Sequence, residues 1–498
     1  MGSRGKFVAF DFGASTGRAV AAEISEGAFA MRELYRFENR PVEIRGRIYW
    51  DFPALYAGLL EGLRAFAARY GPVADGVGVD TWGCDFGQLD RNGELLRLPA
   101  HYRDNRTEGT EEVIERELGR KELYSRTGTQ FLVFNTLNQL IAMRDRRDVS
   151  LDVTDALLFM PDLFHYCLTG VKASEFTVAS ISQLYNVNEC AWDERVCAAF
   201  GIPPRILQRV AQPGFVLADI SAGVARDTGV SGPVILPATH DTASAAAAVP
   251  SLEHGATFIS SGTWSIVGLE LSGPAVNEMG FARSFSNSGG AFGTCLLVKN
   301  VMGLWIIQRC REGWARRGRA LSFADIERAA ASSPSVDAFI DPDDARFLNP
   351  RDMLGEILRS AAGSVPRSLD ESDVGAVARL VFESLAMKYR YTIENLAVAA
   401  GTETGPIHVV GGGARNDLLN QLTADATGRE VLAGPVEATA IGNVAVQAIG
   451  AGFLESLASA RRLIRNEFPP VEYRRKGDTR REVRYEHFLE STGLTRTP

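Results

Sequence analysis

The stretch VAFDFGASTGRAV, residues 8–20, decides the fold: an apolar run ends in an acid, two glycines and two small hydroxyl residues follow, and the chain turns apolar again. That order reads as a strand, a tight polar turn and a second strand running back, with Asp11 at the end of the first. Glycine beside a strand lets consecutive backbone N–H groups point at one anion with no side chain in the way. On this reading Arg18 and the N–H groups of residues 14–17 meet phosphate oxygens, while Asp11 holds a hydrated Mg²⁺ whose charge offsets a triphosphate. An ordinary hairpin with an exposed acid is the plain alternative for one such turn taken alone.

A second turn argues against that alternative. ATFISSGTWSIVGLEL, residues 256–271, repeats the layout of residues 6–24 about half a chain away. The simplest inference is two related α/β domains, each opening on a hairpin whose turn faces a shared ligand. A length of 498 residues also exceeds what one hydrophobic core supports. The boundary is expected near HDTASAAAAVPSLEHG, giving domains 1–245 and 246–498. Elsewhere short β-branched runs alternate with longer helical patterns, as in α/β proteins with largely parallel sheets. Residues 407–428 read as strand, glycine turn and amphipathic helix, with Leu418, Leu419 and Leu422 on one face and Gly428 stopping it. Residues 300–318 carry another helical pattern, and the Pro-, Asp- and Ser-rich stretch 332–373 is expected to contain long loops.

The bulk composition excludes several classes. Hydrophobic residues make up 45% and charged residues 23% of the chain, and no run reaches the roughly 20 apolar residues of a bilayer span. No secretory apolar core opens the sequence, so a cytoplasmic protein with no membrane partner is expected. Six cysteines without any C-x-x-C spacing read as reduced structural thiols. A formal charge of −8 disfavours nucleic acid as a partner, because neutralising phosphates takes clustered Lys and Arg. The basic run RRKGDTRREVR at 474–484, interrupted by acids and a glycine, reads as a solvated surface.

Three further stretches carry candidate chemistry. No G-x-x-x-x-G-K-[ST] occurs, and no G-x-G-x-x-G opens a helix after a strand, so a bound nucleotide needs another scaffold. VILPATHDTASAAAA, 234–248, sets His240, Asp241 and Thr242 between a strand and an Ala-rich helix. Asp241 is there either a helix N-cap or a catalytic base; in phosphoryl transfer, with its loose transition state, orientation matters more than basicity. GVGVDTWGCDFGQLDRNGEL, 76–95, reads as a strand pair turned at DRNG, with Asp80, Trp82 and Asp85 among apolar residues. A polyhydroxylated ligand would give these acids hydroxyl donors and Trp82 an apolar face; hydrogen-bonded core acids beside a packing Trp are the alternative.

Taken in order from about residue 6 to residue 455, DFGASTGR, DTWGCDF, YRDNRT, RTGTQFLVFNTLNQL, MPDLFHYCLTG, HDTASA, SSGTWS, NVMGLW, and VVGGGARNDLLNQLTADATG followed by AGPVEATAIGN resemble the sugar kinases of the FGGY family. The resemblance implies two ribonuclease H-like (actin-like ATPase) α/β domains around a deep interdomain cleft, closing on MgATP and a ketose. Carried over by position, Ala14, Ser15, Thr16, Gly17 and Arg18 form the first phosphate turn and Thr263 the second. Gln308 and Gly412 belong to the nucleotide pocket, with the glycines at 411–413 letting backbone approach the adenosine. Asp80, Trp82, Gly83, His240, Thr242 and Asn300 line the sugar site, Asp241 is the base and Asp11 the metal residue. The implied reaction moves the γ-phosphoryl group of ATP to hydroxyl 1 of L-rhamnulose, with L-fuculose or another ketose as the alternative acceptor. The protein is expected to be a monomer or homodimer. Thr16 stands where many relatives have Ser, and Thr423 and Thr427 stand where some have cysteine, so no disulfide is implied there. A non-catalytic actin-like nucleotide switch is the competing class, and Asp241 beside TWG is what such a switch would not need.

Overall fold

A computed structural model describes residues 4–25, 27–252, 255–361, 369–477 and 480–496. Parts of three regions named above lie outside the described residues: 253–254 at the expected boundary, 362–368 among the expected loops and 478–479 in the basic run.

The chain divides into two compact units: residues 1–254, 270–297 and 438–468 form one, and residues 255–269, 298–437 and 469–498 the other. Three stretches past position 245, namely the run up to 254, 270–297 and 438–468, thus belong to the first unit.

In the first unit, strand Gly5–Phe12 turns at Gly13 into strand Thr16–Ser25, and the pair is antiparallel with Asp11 opposite Arg18. Phe7, Val8, Ala9, Phe10 and Phe12 are all fully buried, the near-continuous apolar run of a strand covered on both faces. The six strands run Val216–Asp219, Pro233–Ile235, Gly76–Thr81, Gly5–Phe12, Thr16–Ser25, Ala28–Glu38. Gly76–Thr81 lies parallel to Gly5–Phe12 and places Asp80 beside Asp11. Helix Phe52–Tyr70 covers one face; Asp51 caps it, and Leu55, Leu59, Leu63 and Phe66 bury the i, i+4 stripe. Helix Ala438–Gly450 packs on the same strands, and Gln447 Nε2 donates to Val8 O at 3.1 Å. A Cβ on Gly78 would lie 2.8 Å from Gln447 Nε2, which is why this strand keeps a glycine there.

The second unit repeats the scheme. Strand Thr257–Ser261 pairs antiparallel with Trp264–Leu271 and parallel with Ile407–Val410, which pairs parallel with Val431–Ala433. The hairpin-led duplication inferred from sequence is therefore present in the backbone pairing itself.

One local reading is revised. Strand Phe86–Leu89 pairs with Ala156–Phe159, while the chain after DRNG returns to it at the Leu89–Leu95 bridge, with Leu96 N donating to Gln88 O at 2.9 Å. The stretch expected to contain long loops has them between Ser333 and Asp352, interrupted by the short turn Ala345–Phe347, and also carries helix Met353–Ala361, whose Met353, Leu354 and Ile357 are buried. Among the described residues no helix is long and apolar enough to cross a membrane.

Candidate active site

The first turn is closed by Gly13 N–H donating to Thr16 O at 2.9 Å, and Asn39 braces it by bonds to Ser15 O and Gly13 O. Ser15 and Thr16 are exposed and Ala14 is half-buried, so the turn offers its polar groups outward. Gly17 serves packing instead: a Cβ there would lie 2.3 Å from the Phe37 ring. Arg18 forks onto its cross-strand partner, with Nε and Nη2 donating to Asp11 Oδ2 at 2.9 and 2.7 Å. The guanidinium expected on phosphate is thus paired with the acid expected on the metal.

Asp80, side by side with Asp11, is fully buried. Its Oδ2 accepts from Asn443 Nδ2 at 2.5 Å, and Asn443 in turn accepts from Gln447. Oδ1 makes no hydrogen bond. Burial and then the Asp11 charge push this carboxyl well above the ordinary range, Asp241 adding to the effect and Arg18 opposing it. Asp80 therefore feels the charges of both Asp11 and Asp241, while Asp11 is itself paired with Arg18. Among the described residues no group of three or more His, Cys, Asp or Glu side chains forms a ready cage, so an ion at Asp11 would draw remaining ligands from water and phosphate, the habit of Mg²⁺.

Asp241 opens helix Asp241–Ala247, but it does not cap it; His240 occupies the N-cap. The Asp241 side chain is 37% exposed and its Oδ1 lies 3.4 Å from His240 Nε2. Oδ1 accepts from Thr242 N at 2.6 Å and Thr242 Oγ1 at 3.1 Å. Burial lowers the His240 imidazole, keeping it neutral at physiological pH. Strand Gly76–Thr81 brings Gly83 to the same place: Thr81 bridges to His240, and a Cβ on Gly83 would stand 3.4 Å from the imidazole and 2.3 Å from Ile181. Gly83, His240, Asp241 and Thr242 thus form one cluster.

Trp82 faces a different neighbourhood. It stacks on Trp50 at 3.9 Å between ring centroids, and Trp50 stacks on His101 at 4.0 Å. Asp85 fastens this stack: its Oδ2 accepts from Trp50 Nε1, Trp82 Nε1 and Tyr102 N, and its Oδ1 from Gln139 Nε2, at 2.7–3.2 Å. Asp85 is accordingly a hydrogen-bonded core acid beside packed tryptophans, the alternative weighed above, and burial raises it to about 6.

In the second unit Thr263 is exposed in its turn, and its carbonyl accepts from Trp305 N at 3.1 Å, tying the turn to helix Trp305–Arg316 that carries Gln308. Gly411 and Gly413 press on Ser261, whose carbonyl oxygen and Oγ would lie 3.0 and 1.9 Å from added Cβ atoms, whereas Gly412 is exposed with nothing within 4 Å. Of the three glycines, then, only Gly412 leaves open space for a ligand. Asn300 is half-buried on strand Cys295–Met302, beside Trp264–Leu271.

The residues missed from sequence are acceptors and braces: Trp50, Gln139, Glu175, Gly442, Asn443 and Gln447. Gln139 stood in the quoted RTGTQFLVFNTLNQL, and Gly442 and Asn443 in AGPVEATAIGN; spacing gave no signal for the others.

Two α/β units of one topology, each led by a hairpin with an outward polar turn, define an actin-like ATPase architecture. Residues 7–248 match the N-terminal domain and residues 257–451 the C-terminal domain of the FGGY family of carbohydrate kinases, and the chain belongs to that family. It is 39% identical to a rhamnulokinase of Bacteroides thetaiotaomicron over 486 residues, 97% of this chain and 98% of that protein. A rhamnulokinase of Yersinia pestis bv. Antiqua is 38% identical over 470 residues, 93% of each chain. Among solved structures, gluconate kinase from Lactobacillus acidophilus superposes with a TM-score of 0.80 at 15% identity, covering 99% of this chain and 97% of that one. Plasmodium falciparum glycerol kinase with ADP superposes with a TM-score of 0.78 at 14% identity, covering 99% and 98%. The chain is a sugar phosphotransferase using ATP.

Proposed function

We propose that the chain phosphorylates L-rhamnulose at hydroxyl 1, giving L-rhamnulose 1-phosphate in the breakdown of L-rhamnose in the cytoplasm. The observation that carries this reading is the end-to-end likeness to rhamnulokinases at 38–39% identity, joined to a partly exposed Asp241 carboxylate in the cluster with Gly83, His240 and Thr242.

The mechanism follows from those groups. Asp241 orients the sugar hydroxyl and accepts its proton as the new O–P bond forms; the bond from the γ-phosphorus to the bridging oxygen breaks and ADP leaves. Thr242 holds the Asp241 carboxylate from the side, and neutral His240 beside it is a hydrogen-bonding contact for the sugar, with Gly83 letting Ile181 and the imidazole pack close behind it. Asp80 and Asn300 complete the sugar contacts, while Trp82 stays packed on Trp50. Ala14, Ser15, Thr16 and Arg18 bind phosphate oxygens from the domain spanning 1–245, with Gly17 seating the turn against Phe37, and Thr263, Gln308 and Gly412 serve the nucleotide from the domain spanning 246–498. Mg²⁺ would be held at Asp11, where it offsets the phosphate charge.

The test is an ADP-release assay over L-rhamnulose, L-fuculose, L-xylulose, D-xylulose and glycerol, run on wild type and Asp241→Ala. L-Rhamnulose should lead in kcat/KM, and the substitution should lower kcat by about 10²–10⁴-fold while binding of an ATP analogue persists. Equal kcat/KM for L-fuculose overturns the substrate; an Asp241→Ala variant within a few-fold of wild type overturns the base.

A further inference from the structure

We infer that Glu175 is a positioning residue that sets the aim of the Asp241 carboxylate, a role that rests on the reading of Asp241 as the base. Among the described residues, both hydrogen bonds the Asp241 carboxylate accepts come from the adjacent Thr242. Its direction is therefore inherited from the backbone of residues 239–242, and what holds that backbone decides where the carboxylate points.

Glu175 holds it. A single oxygen, Oε2, accepts from Thr239 N at 3.1 Å and Thr239 Oγ1 at 2.6 Å. The same oxygen accepts from Thr177 N at 2.9 Å and Thr177 Oγ1 at 2.5 Å, with Val178 N at 3.4 Å. Thr177 Oγ1, having donated to Glu175, accepts from His240 N at 3.1 Å. The relay runs from His240 N–H to the Thr177 hydroxyl to the Glu175 carboxyl, and a second arm runs from Thr239. From the other side Thr81 N donates to Thr239 O at 2.9 Å, so the segment is clamped between strand Gly76–Thr81 and Glu175.

The backbone of Glu175 is itself fixed from behind. Asp162 Oδ1 accepts from Glu175 N at 3.1 Å, and Asp162 sits on helix Met160–Thr169, whose His165 Nε2 accepts from Val79 N at 3.0 Å. One helix thus braces both the strand and the acid that grip the reacting segment. Glu175 Oε1 and Asp162 Oδ2 are buried and accept no hydrogen bond from the described residues, and burial raises both groups, Glu175 to about 7. A half-satisfied buried carboxyl is a costly way to build a core, and local rules of this kind are broken where function demands it.

The experiment compares Glu175→Asp, Thr239→Val and Thr239→Ser with wild type and Asp241→Ala, reading kcat, KM for the ketose, Kd for a non-hydrolysable ATP analogue, and Tm. Glu175→Asp draws the acceptor back by about 1.5 Å, one C–C bond, and a misplacement of about 1 Å costs on the order of 10² in rate. Expected are a kcat at least 30-fold lower (~30–100-fold) with the analogue Kd within about threefold, a parallel loss in Thr239→Val, and near-normal kcat in Thr239→Ser, which restores the hydroxyl. A folded Glu175→Asp with kcat within twofold of wild type overturns the assignment. If that variant does not fold, equal kcat in Thr239→Val and Thr239→Ser overturns it instead. Should Asp241→Ala stay active, the base reading falls; should Asp241→Ala be inactive while the Glu175 and Thr239 variants turn over normally, only the positioning role falls.

Discussion

Gly442→Ala tests whether the helix behind Asp241, the proposed base, can give way. Gly442 lies in helix Ala438–Gly450, and a Cβ placed on it would lie 1.8 Å from Ser244 O, 2.7 Å from Ser244 C and 3.2 Å from Ala248 N. All three are backbone atoms, so no rotamer change relieves the clash. Ordinary contact begins near 3.4 Å, so the two helices must part by roughly 1.5 Å, at a cost of about 1–3 kcal/mol for overpacking of this kind. Ser244 stands three residues after Asp241 on helix Asp241–Ala247, one turn away, so the shift carries the carboxylate with it. A displacement of that size predicts a kcat loss on the order of 10²-fold together with a Tm lower by several degrees. The assay is kcat at saturating ketose and ATP beside scanning calorimetry, with Gly223→Ala as the control. Gly223 is exposed in helix Ala222–Thr228 with nothing within 4 Å, and alanine there should leave kcat unchanged and add about 0.4–1 kcal/mol of stability. A Gly442→Ala enzyme with wild-type kcat and Tm would refute the reasoning.

Two further outcomes follow from buried charges. Asp85 titrates at about 6 in the native state because burial outweighs the bonds from Trp50 and Gln139, against about 3.9 when unfolded. A carboxyl raised on folding supports the native state fully below the lower value and loses that support as pH rises through the upper, so this site's contribution declines between about pH 4 and pH 6. Asp85→Asn should remove that decline from urea midpoints, and a wild-type-minus-variant difference that stays flat across the window contradicts it. Arg461 and Glu270, each with a side chain 8% exposed, pair at 2.5 Å, and Arg461 also donates to Ala246 O at 3.0 Å. Arg461→Met alone strands a buried acid and should cost about 3–5 kcal/mol, whereas adding Glu270→Leu should recover a large part of it. Chemical denaturation of the singles and the double decides the matter; a double variant no more stable than Arg461→Met goes against it.

The order of elements was legible because it is written in local patterns. Strand Gly5–Phe12 announces itself by an unbroken apolar run, helix Trp305–Arg316 by its buried Ile306, Ile307, Cys310 and Trp314, and the repeated hairpin by two copies of one strand-turn-strand layout. Backbone geometry at this range depends on neighbours a few residues apart, so sequence suffices. The placement of Asp241 between a strand and an Ala-rich helix was legible for the same reason. The role of Asp85 was left open by spacing, because an acid among apolar residues looks the same whether it awaits a ligand or already holds two indole N–H groups.

By itself, then, the sequence determined the duplicated α/β plan, the two polar turns and the strand-to-helix segment that carries Asp241. Only the tertiary structure decided that Gly17 answers to Phe37 and Gly413 to Ser261, that Asn443 bonds Asp80, and that Glu175 grips Thr239 from 64 residues away. The division has a physical cause. Periodicity and turn chemistry act within a few residues, whereas the matching of buried donors to acceptors depends on which distant segments packing brings together, and no spacing along the chain records that.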